Sequence, residues 1–255
     1  MVNTDVVLYE KRDSIAFLTI NRPEALNALN TEVNLKLIQR LDQAEADNEV
    51  RVIILKGAGD KAFIAGGDIK EMIHKNAMEA RDYALAAKRV IDRIWNLKKP
   101  VIAAIQGLCL GGGLEYAMAC DLRTASEKAR FGQPEINIGI MPGSAGTQRL
   151  SRLIGVTKAK QLCFTGDMIE AEEALALGLI NEIHPADSLM DKTIELAKKI
   201  ASKSAPALTL IKSAINRGTG MDLESASLFE IDCFGLCFAT EEQKEKMLAF
   251  VNKKR

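Results

Sequence analysis

The spacing of apolar residues changes along the chain and predicts strands that alternate with helices. Two short runs of β-forming residues, at 6–9 and 15–20, flank the turn-prone segment 11–14 and predict an opening hairpin. After Thr31, a favourable residue for a helix N-cap, apolar residues recur at helical spacing at Val33, Leu37, Leu41 and Ala44. The chain is therefore expected to begin with a hairpin followed by a helix.

The alternation continues and then gives way to helices. The next predicted elements are a strand at 52–55, helices at 68–75 and 83–97, a strand at 101–105, a short helix at 114–119 and a strand at 122–125. Helices dominate from residue 158, and the last third contains helices at 171–177, 189–200, 206–216, 223–238 and 240–253, the last with a capping box of Thr240 and Gln243. This order predicts an α/β core at 1–195 and a helical region at 196–255, which would pack on its own core or on a neighbouring subunit.

Composition narrows the class of protein. The 255 residues are 47% hydrophobic and 27% charged, which suffices for a sizeable core and excludes a disordered or fibrous chain. The 34 basic residues balance the 34 acidic ones, so no global field marks a nucleic-acid or membrane-surface binder. We therefore expect a small-molecule partner.

The apolar runs and the cysteines of the sequence predict the cellular location and the absence of a metal site. The longest apolar run, 101–114, is interrupted by Gln106 and by glycines, and it is shorter than the about 20 residues that span a bilayer. Residues 1–10 lack a signal-peptide pattern, and the five cysteines include no C-x-x-C pair, so we expect neither a disulfide framework nor a zinc site. No other cluster has metal-ligand spacing. The cytoplasm is the expected location, although the sequence leaves open a transit peptide removed earlier.

Two glycine-bearing turns, 64–69 and 107–115, each follow a strand and begin a helix. Glycines there either serve tight turns or let a ligand approach backbone N–H groups, and both interpretations remain open for each turn alone. The second turn does not match three known motifs: Leu114 and Glu115 replace the Lys-Ser/Thr of a P-loop, Tyr116 fills the last small position of a dinucleotide fingerprint, and no serine lies between glycines as in an esterase elbow. One N–H from each turn could instead hold the oxygen of a polarised carbonyl.

Two glutamates accompany the second turn, Glu115 within it and Glu135 twenty residues later. Each alone is more often a solvated surface residue. The neighbours of Glu115 are apolar, however, and burial there would raise its pKa and suit it to proton transfer. The chain has only two histidines, His74 and His184, and they are far apart in sequence, so little supports a Ser-His-Asp or Cys-His catalytic arrangement. Both histidines are expected to be structural or surface residues.

Several colinear motifs resemble the crotonase (enoyl-CoA hydratase/isomerase) superfamily. They are Ile20-Asn21-Arg22-Pro23, Leu26-Asn27-Ala28-Leu29, Ala65-Gly66-Gly67-Asp68-Ile69, Gly111-Gly112-Gly113-Leu114-Glu115, Phe131-Gly132-Gln133-Pro134-Glu135 and Gly146-Thr147-Gln148-Arg149-Leu150. The resemblance implies a spiral of ββα units with a C-terminal helical region that forms a homotrimer or a dimer of trimers. It also implies an acyl-CoA thioester substrate, so coenzyme A enters with the substrate and no separate cofactor is expected.

The resemblance also assigns roles to residues. It implies an oxyanion hole formed by the N–H groups of Gly67 and Gly112, and coenzyme A contacts from Ala25, Leu26, Ala65, Asp68 and Ile69. Hydratases of the family carry both glutamates, which implies that Glu115 positions and deprotonates water and that Glu135 protonates C2, although the pair could share these roles. The implied activity is enoyl-CoA hydratase. The alternatives are an enoyl-CoA isomerase or other crotonase-type enzyme and a non-catalytic acyl-CoA or RNA-binding member.

Departures from the family pattern leave the acyl-chain length open. Leu114 stands where a cysteine is common, Tyr116 is bulkier than usual, and Ser144-Ala145 replaces a more glycine-rich pair. None of these changes removes a catalytic group, but each position could line or support the acyl pocket.

Overall fold

Strands and helices alternate through the first 184 residues, and helices alone follow. The structure is a computed structural model that describes residues 5–252. Its strands are β1 (Val7–Arg12), β2 (Ile15–Ile20), β3 (Val52–Gly57), β4 (Ala62–Ile64), β5 (Val101–Ile105), β6 (Leu108–Leu110), β7 (Leu122–Ser126), β8 (Arg130–Gly132), β9 (Met168–Glu170) and β10 (Glu182–His184). Its α-helices are α1 (Thr31–Ala46), α2 (Ile69–Met72), α3 (Ala77–Asn96), α4 (Gly112–Ala119), α5 (Gly146–Ile154), α6 (Val156–Thr165), α7 (Ala171–Ala176), α8 (Leu189–Ala201), α9 (Ala205–Gly218), α10 (Leu223–Cys237) and α11 (Glu241–Asn252).

The strands form two sheets that are built by repetition. The six-stranded sheet has the order β1-β2-β3-β5-β7-β10, and the four-stranded sheet has the order β4-β6-β8-β9. In three successive units the first strand (β3, β5, β7) joins the large sheet, the second (β4, β6, β8) joins the small sheet, and helical structure follows. Within each sheet these strands are parallel. The predicted α/β fold of ββα units is therefore confirmed.

Helices cover both faces of the large sheet, so its central strands are apolar throughout. On one face, the predicted stripe of α1 is buried together with Val90, Ile91 and Ile94 of α3. On the other face, α8 packs through Ala197 against Ile54 and Ile102. A parallel strand with helices on both sides reads as a continuous apolar run rather than an alternating one, as 52–55 and 101–105 do.

The boundaries of several predicted elements are corrected by the structure. Strand β1 continues to Arg12, so the turn that was predicted at 11–14 is shorter and contains Asp13 at φ 52°. The cap of α1 is Asn30 rather than Thr31, because the Asn30 side chain accepts a hydrogen bond from the N–H of Val33. Helix α3 begins at Ala77 instead of residue 83, because Asn76 and Glu79 form a capping box.

The last helix also differs in part from its prediction. The hydroxyl of Thr240 accepts from the N–H of Gln243 at 3.4 Å, but the Gln243 side chain donates to Met247 instead of completing the capping box. Residue 253 of the predicted helix lies outside the described residues. The division of the chain at 195 stays a prediction, and it falls within α8. No helix in residues 5–252 is long and apolar enough to cross a membrane.

A buried ion pair attaches the first helix of the C-terminal group to the core. The ammonium of Lys212 on α9 donates to Oδ2 of Asp121 at 2.8 Å and to the carbonyls of Ile94 and Lys99 at 3.2 Å each. Asp121 in turn accepts from the N–H of Val101 at the start of β5. Burial raises the pKa of Asp121 even though the Lys212 ammonium opposes that shift. This charged contact therefore joins α9 to both α3 and β5.

Replacing Lys212 by alanine should destabilise the protein because it leaves the Asp121 carboxylate buried without its counter-ion. We expect K212A to lower the free energy of unfolding by about 3 kcal/mol. Denaturant unfolding followed by the fluorescence of Trp95, whose carbonyl accepts from Asn216 on α9, measures this loss. K192A, which removes an exposed ion pair with Glu195, serves as the control and should change little. Equal stability of K212A and the parent would contradict this role.

Candidate active site

The predicted site residues follow three neighbouring parallel strands of the small sheet. Gly66 and Gly67 follow β4, Gly111 and Gly112 follow β6, and residues 133–135 follow β8. Because these strands are parallel and adjacent, their carboxyl ends meet at one edge, where ligands bind in many α/β proteins. A Cβ built on Gly111, which has φ +52°, would lie 3.7 Å from Cα of Gly66. The two glycine turns that the sequence singled out are therefore side by side.

Two backbone N–H groups at this edge are unused by the fold. Leu29 donates its N–H to the carbonyl of Gly66 at 2.8 Å and accepts from the N–H of Asp68 at 2.7 Å. In such a parallel bridge the intervening residue, Gly67, points its own N–H away from Leu29. Gly112 is the first residue of α4, where an N–H has no partner within the helix. In the part of the chain that the structure describes, neither group donates to a backbone acceptor.

The two N–H groups lie close enough to serve one ligand atom. A Cβ built on Gly112 would be 3.7 Å from the nitrogen of Gly67 and 3.9 Å from Oε2 of Glu115. The N-terminus of α4 adds a favourable dipole for a partial negative charge. This arrangement has the composition of an oxyanion hole with a carboxylate beside it, and that role stays a prediction.

Glu115 is held from one side only. The carboxylate is buried, and its Oε1 accepts from the N–H groups of Ser144 and Gly146, both at 2.7 Å. Burial raises the pKa of Glu115, whereas the two N–H bonds act in the opposite direction. Among the described residues, no hydrogen-bond donor contacts Oε2, which lies toward Gly112. One oxygen of Glu115 is thus fixed by the fold and the other is not.

The loop before α5 creates the two donors to Glu115. Ala145 has φ +79°, and this left-handed residue between Ser144 and Gly146 lets both N–H groups converge on one oxygen, as in anion-binding nests. A Cβ on Gly146 would lie 2.7 Å from Oε1 of Glu115 and 2.8 Å from Cβ of Pro142, so a side chain does not fit there. Sequence reasoning missed these donors because they are backbone groups. The only available signal was the glycine pattern around residues 143–146.

Glu135 has a more open environment. It lies half-buried in a 3₁₀ turn, Pro134–Ile138, and its Oε1 is 3.0 Å from a Cβ built on Gly111. With the buried Gln133 amide oriented so that its NH₂ faces the carboxylate, it donates to Oε1 at 2.8 Å and to Oε2 at 3.1 Å. Burial, with a further contribution from the Glu115 charge, raises the pKa of Glu135 to about 7. A carboxyl with this pKa exchanges protons readily near neutral pH.

The residues that the resemblance assigned to coenzyme A contact lie in two segments that meet beside Gly67: Ala25, Leu26, Ala65, Asp68 and Ile69. The N–H of Ala65 donates to the carbonyl of Leu26 at 3.1 Å, which joins the segments. Asp68 caps α2 and accepts from Arg22 at 2.9 Å, so its carboxylate is already engaged. Ile69 is 52% exposed. Their contact with a ligand stays a prediction.

The histidines are remote from this edge. His74 is exposed, and His184 contacts Glu182 at 2.9 Å on the far strand of the large sheet. Within residues 5–252, no group of three or more His, Cys, Asp or Glu side chains is arranged to hold a metal ion. The edge carries the two carboxyl groups and the two N–H groups described above.

Comparisons with known proteins agree on one family. A family model described as enoyl-CoA hydratase/isomerase matches residues 10–255. The chain is 49% identical to a short-chain-enoyl-CoA hydratase of Clostridium acetobutylicum, covering 98% of this chain and 95% of the relative. It is 45% identical to a crotonyl-CoA hydratase of Syntrophomonas wolfei, covering 98% and 96%. A crystal structure of an enoyl-CoA hydratase from Bacillus anthracis superposes with a TM-score of 0.93 at 38% identity, covering 97% and 96%.

The pKa of Glu135 should depend on the charge of Glu115. E115Q removes a negative charge near Glu135, so we expect the pKa of Glu135 to fall below its parent value of about 7. Carboxyl-carbon NMR titration measures it, and the signal that titrates near pH 7 should be absent in E135Q. E172Q, which removes an exposed charge on α7, is the control and should leave the value unchanged. An unchanged pKa in E115Q would show that the two carboxyl groups are not coupled.

Proposed function

Because the chain belongs to the enoyl-CoA hydratase/isomerase family, we propose that it is an enoyl-CoA hydratase, which adds water reversibly to a trans-2-enoyl-CoA and gives a 3-hydroxyacyl-CoA. One observation carries this proposal: Glu115 and Glu135 flank a pair of unused N–H groups at the same edge of the small sheet. A family member with both carboxyl groups at these positions has the acidic and basic groups that hydration of a double bond needs. The relatives of highest identity given above carry hydratase names.

The N–H pair would stabilise the charge that develops during addition. When water attacks C3, electron density moves through C2 to the thioester oxygen, which becomes enolate-like. Gly67 and Gly112 would donate to that oxygen. Donors that are already oriented need no reorganisation in the transition state, and one such donor is worth about 3 kcal/mol.

The two carboxyl groups would divide the proton transfers. Glu115, ionised and held through Oε1, positions water with Oε2 and takes its proton as the oxygen bonds to C3. Glu135, protonated in the resting complex, delivers its proton to C2. Proton exchange with solvent after product release restores the pair. Since coupled carboxyl groups titrate together, this division of roles is part of the proposal.

Substrate recognition would require no separate cofactor. The coenzyme A portion would lie along the segments that contain Ala25, Leu26, Ala65, Asp68 and Ile69, with its thioester at the N–H pair. Leu26 also lines a groove of about 170 Å³ whose lining includes Lys61, a basic residue suited to a phosphate, together with the acidic Asp60. In this proposal coenzyme A is the part of the substrate by which the protein binds it.

A homotrimer, or a dimer of trimers, is the proposed assembly. Helix α10 packs on α9 but leaves large apolar side chains more than half exposed, namely Leu223, Leu228, Ile231, Phe234 and Leu236. An exposed patch of this kind indicates a protein interface. The C-terminal helices would supply the contact between subunits.

The activity is tested by the absorbance of the conjugated thioester. We expect the purified protein to remove that absorbance from trans-2-enoyl-CoA substrates, with a preference that a chain-length series defines. An increase of absorbance with 3-enoyl-CoA substrates alone would instead identify an isomerase. Tight binding of acyl-CoA thioesters without turnover of any of them would identify a binding protein.

Removing either carboxyl group should reduce turnover while substrate binding persists. We expect E115Q and E135Q each to lower kcat by at least about 100-fold, the lower end of a general acid–base contribution, with a smaller change in thioester affinity. Steady-state kinetics and binding titrations separate the two quantities. The surface variant E172Q should retain parent turnover. Parent turnover in E115Q or E135Q would remove that residue from the mechanism.

A further inference from the structure

Leu29 contacts both members of the N–H pair. Its backbone bonds to Gly66 and Asp68 set the direction of the Gly67 N–H, as described above. Its Cδ1 atom lies 3.2 Å from a Cβ built on Gly112. Leu29 itself is 2% exposed. The backbone of Leu29 therefore sets the direction of the Gly67 N–H, and its side chain lies beside Gly112.

Tyr83 holds the carbonyl group of Leu29. Its hydroxyl, on α3, donates to that oxygen at 2.7 Å, the same oxygen that accepts from the N–H of Asp68. A Cβ built on Gly67 would lie 3.1 Å from the Tyr83 hydroxyl oxygen, so the hydroxyl also fills the space beside the first N–H group. Burial raises the pKa of Tyr83 to about 12, and the hydroxyl stays protonated near neutral pH.

Helix α3 gives this contact a rigid base and a second connection to the site. The helix is anchored by the capping box of Asn76 and Glu79 and by the buried stripe described above. The next residue, Ala84, accepts from the hydroxyl of Ser144 at 3.3 Å, and the N–H of Ser144 holds Glu115. Tyr83 therefore contacts Leu29, which orients the Gly67 N–H, and the next residue, Ala84, contacts Ser144, which binds the Glu115 carboxylate.

We propose that Tyr83 is a positioning residue for the hydration reaction, because its hydroxyl fixes Leu29 and so aims the Gly67 N–H at the thioester oxygen. The inference rests on the proposed hydratase function. Tyr83 does not transfer a proton in this scheme. It acts through Leu29, which orients the Gly67 N–H that stabilises the charge on the thioester oxygen.

Displacing a donor reduces the stabilisation of the transition state more than that of the ground state, because the thioester oxygen gains charge only as water adds. Without the Tyr83 hydroxyl, the Leu29 carbonyl keeps its bond from Asp68 but loses the contact that ties it to α3. We therefore expect Y83F to lower kcat by roughly 10-fold, less than the about 100-fold expected for loss of a whole donor. Thioester affinity should change by less than about two-fold.

The decisive measurement is spectroscopic. A bound 2,4-dienoyl-CoA absorbs at longer wavelength when its carbonyl oxygen is polarised by hydrogen bonds, so the shift on binding reports on the N–H pair. We expect a smaller shift in Y83F than in the parent at saturating protein. Because the shift is measured on bound ligand, partial unfolding reduces its amplitude and leaves its position unchanged. The matched control is Y9F, which removes the hydroxyl of a half-buried tyrosine on β1.

The outcomes separate this inference from the proposed function. A reduced shift and a reduced kcat in Y83F, with parent values in Y9F, would support the role of Tyr83. Parent values of both in Y83F would overturn it while leaving the hydratase activity intact. If the parent hydrates no enoyl-CoA, the proposed function fails, and the comparison of the bound shifts still decides whether Tyr83 orients the N–H pair.

Discussion

The parallel pairing of β4, β6 and β8 is the constraint on which the site depends. Each of these strands is only three residues long, yet together they bring the ends of three chain segments to one edge. The N–H of Gly67, the N–H of Gly112 and the carboxyl of Glu135 each come from a different segment. No segment alone brings these groups together, because they are neighbours only where the three ends meet. The large sheet, covered by helices on both faces, supplies the rigid frame that keeps these short strands in register.

The two carboxyl groups illustrate how one fold gives similar side chains different properties. Glu115 is more deeply buried, but the N–H groups of Ser144 and Gly146 stabilise its ionised form and fix one oxygen. Glu135 is less deeply buried, and its burial, with a further contribution from the Glu115 charge, raises its pKa to about 7. Different environments for two neighbouring carboxyl groups are typical of acid–base sites. The left-handed conformation of Ala145 is the local distortion that lets both N–H groups reach Glu115.

The sequence predicted elements whose stability is local and missed those that depend on distant pairing. The stripe of α1 and the opening hairpin were found because both patterns lie within one segment. Strands β4, β6, β8 and β9 were missed because three residues are too few to show a period of two, and β10 for the same reason. Apolar neighbours signalled the burial of Glu115. The donors of Ser144 and Gly146, by contrast, lie about thirty residues away and carry no side-chain signature.

The unequal lengths of the ββα units suggest how this architecture can diversify. The second strand of the first unit is separated from the next unit by residues 65–100, which contain α2 and α3, whereas the corresponding segment of the second unit is only 111–121. The conformational entropy of closing a flexible loop grows slowly with its length, so residues can be gained or lost at small thermodynamic cost in the mostly exposed turn 73–76 between α2 and α3. That segment begins at the Gly67 turn and carries Tyr83 and Ala84, so a change in the length of α3 would act on the supports of both the Gly67 N–H and Glu115. The helical part of the segment is constrained by these contacts, so diversification of this unit is confined to its exposed turn.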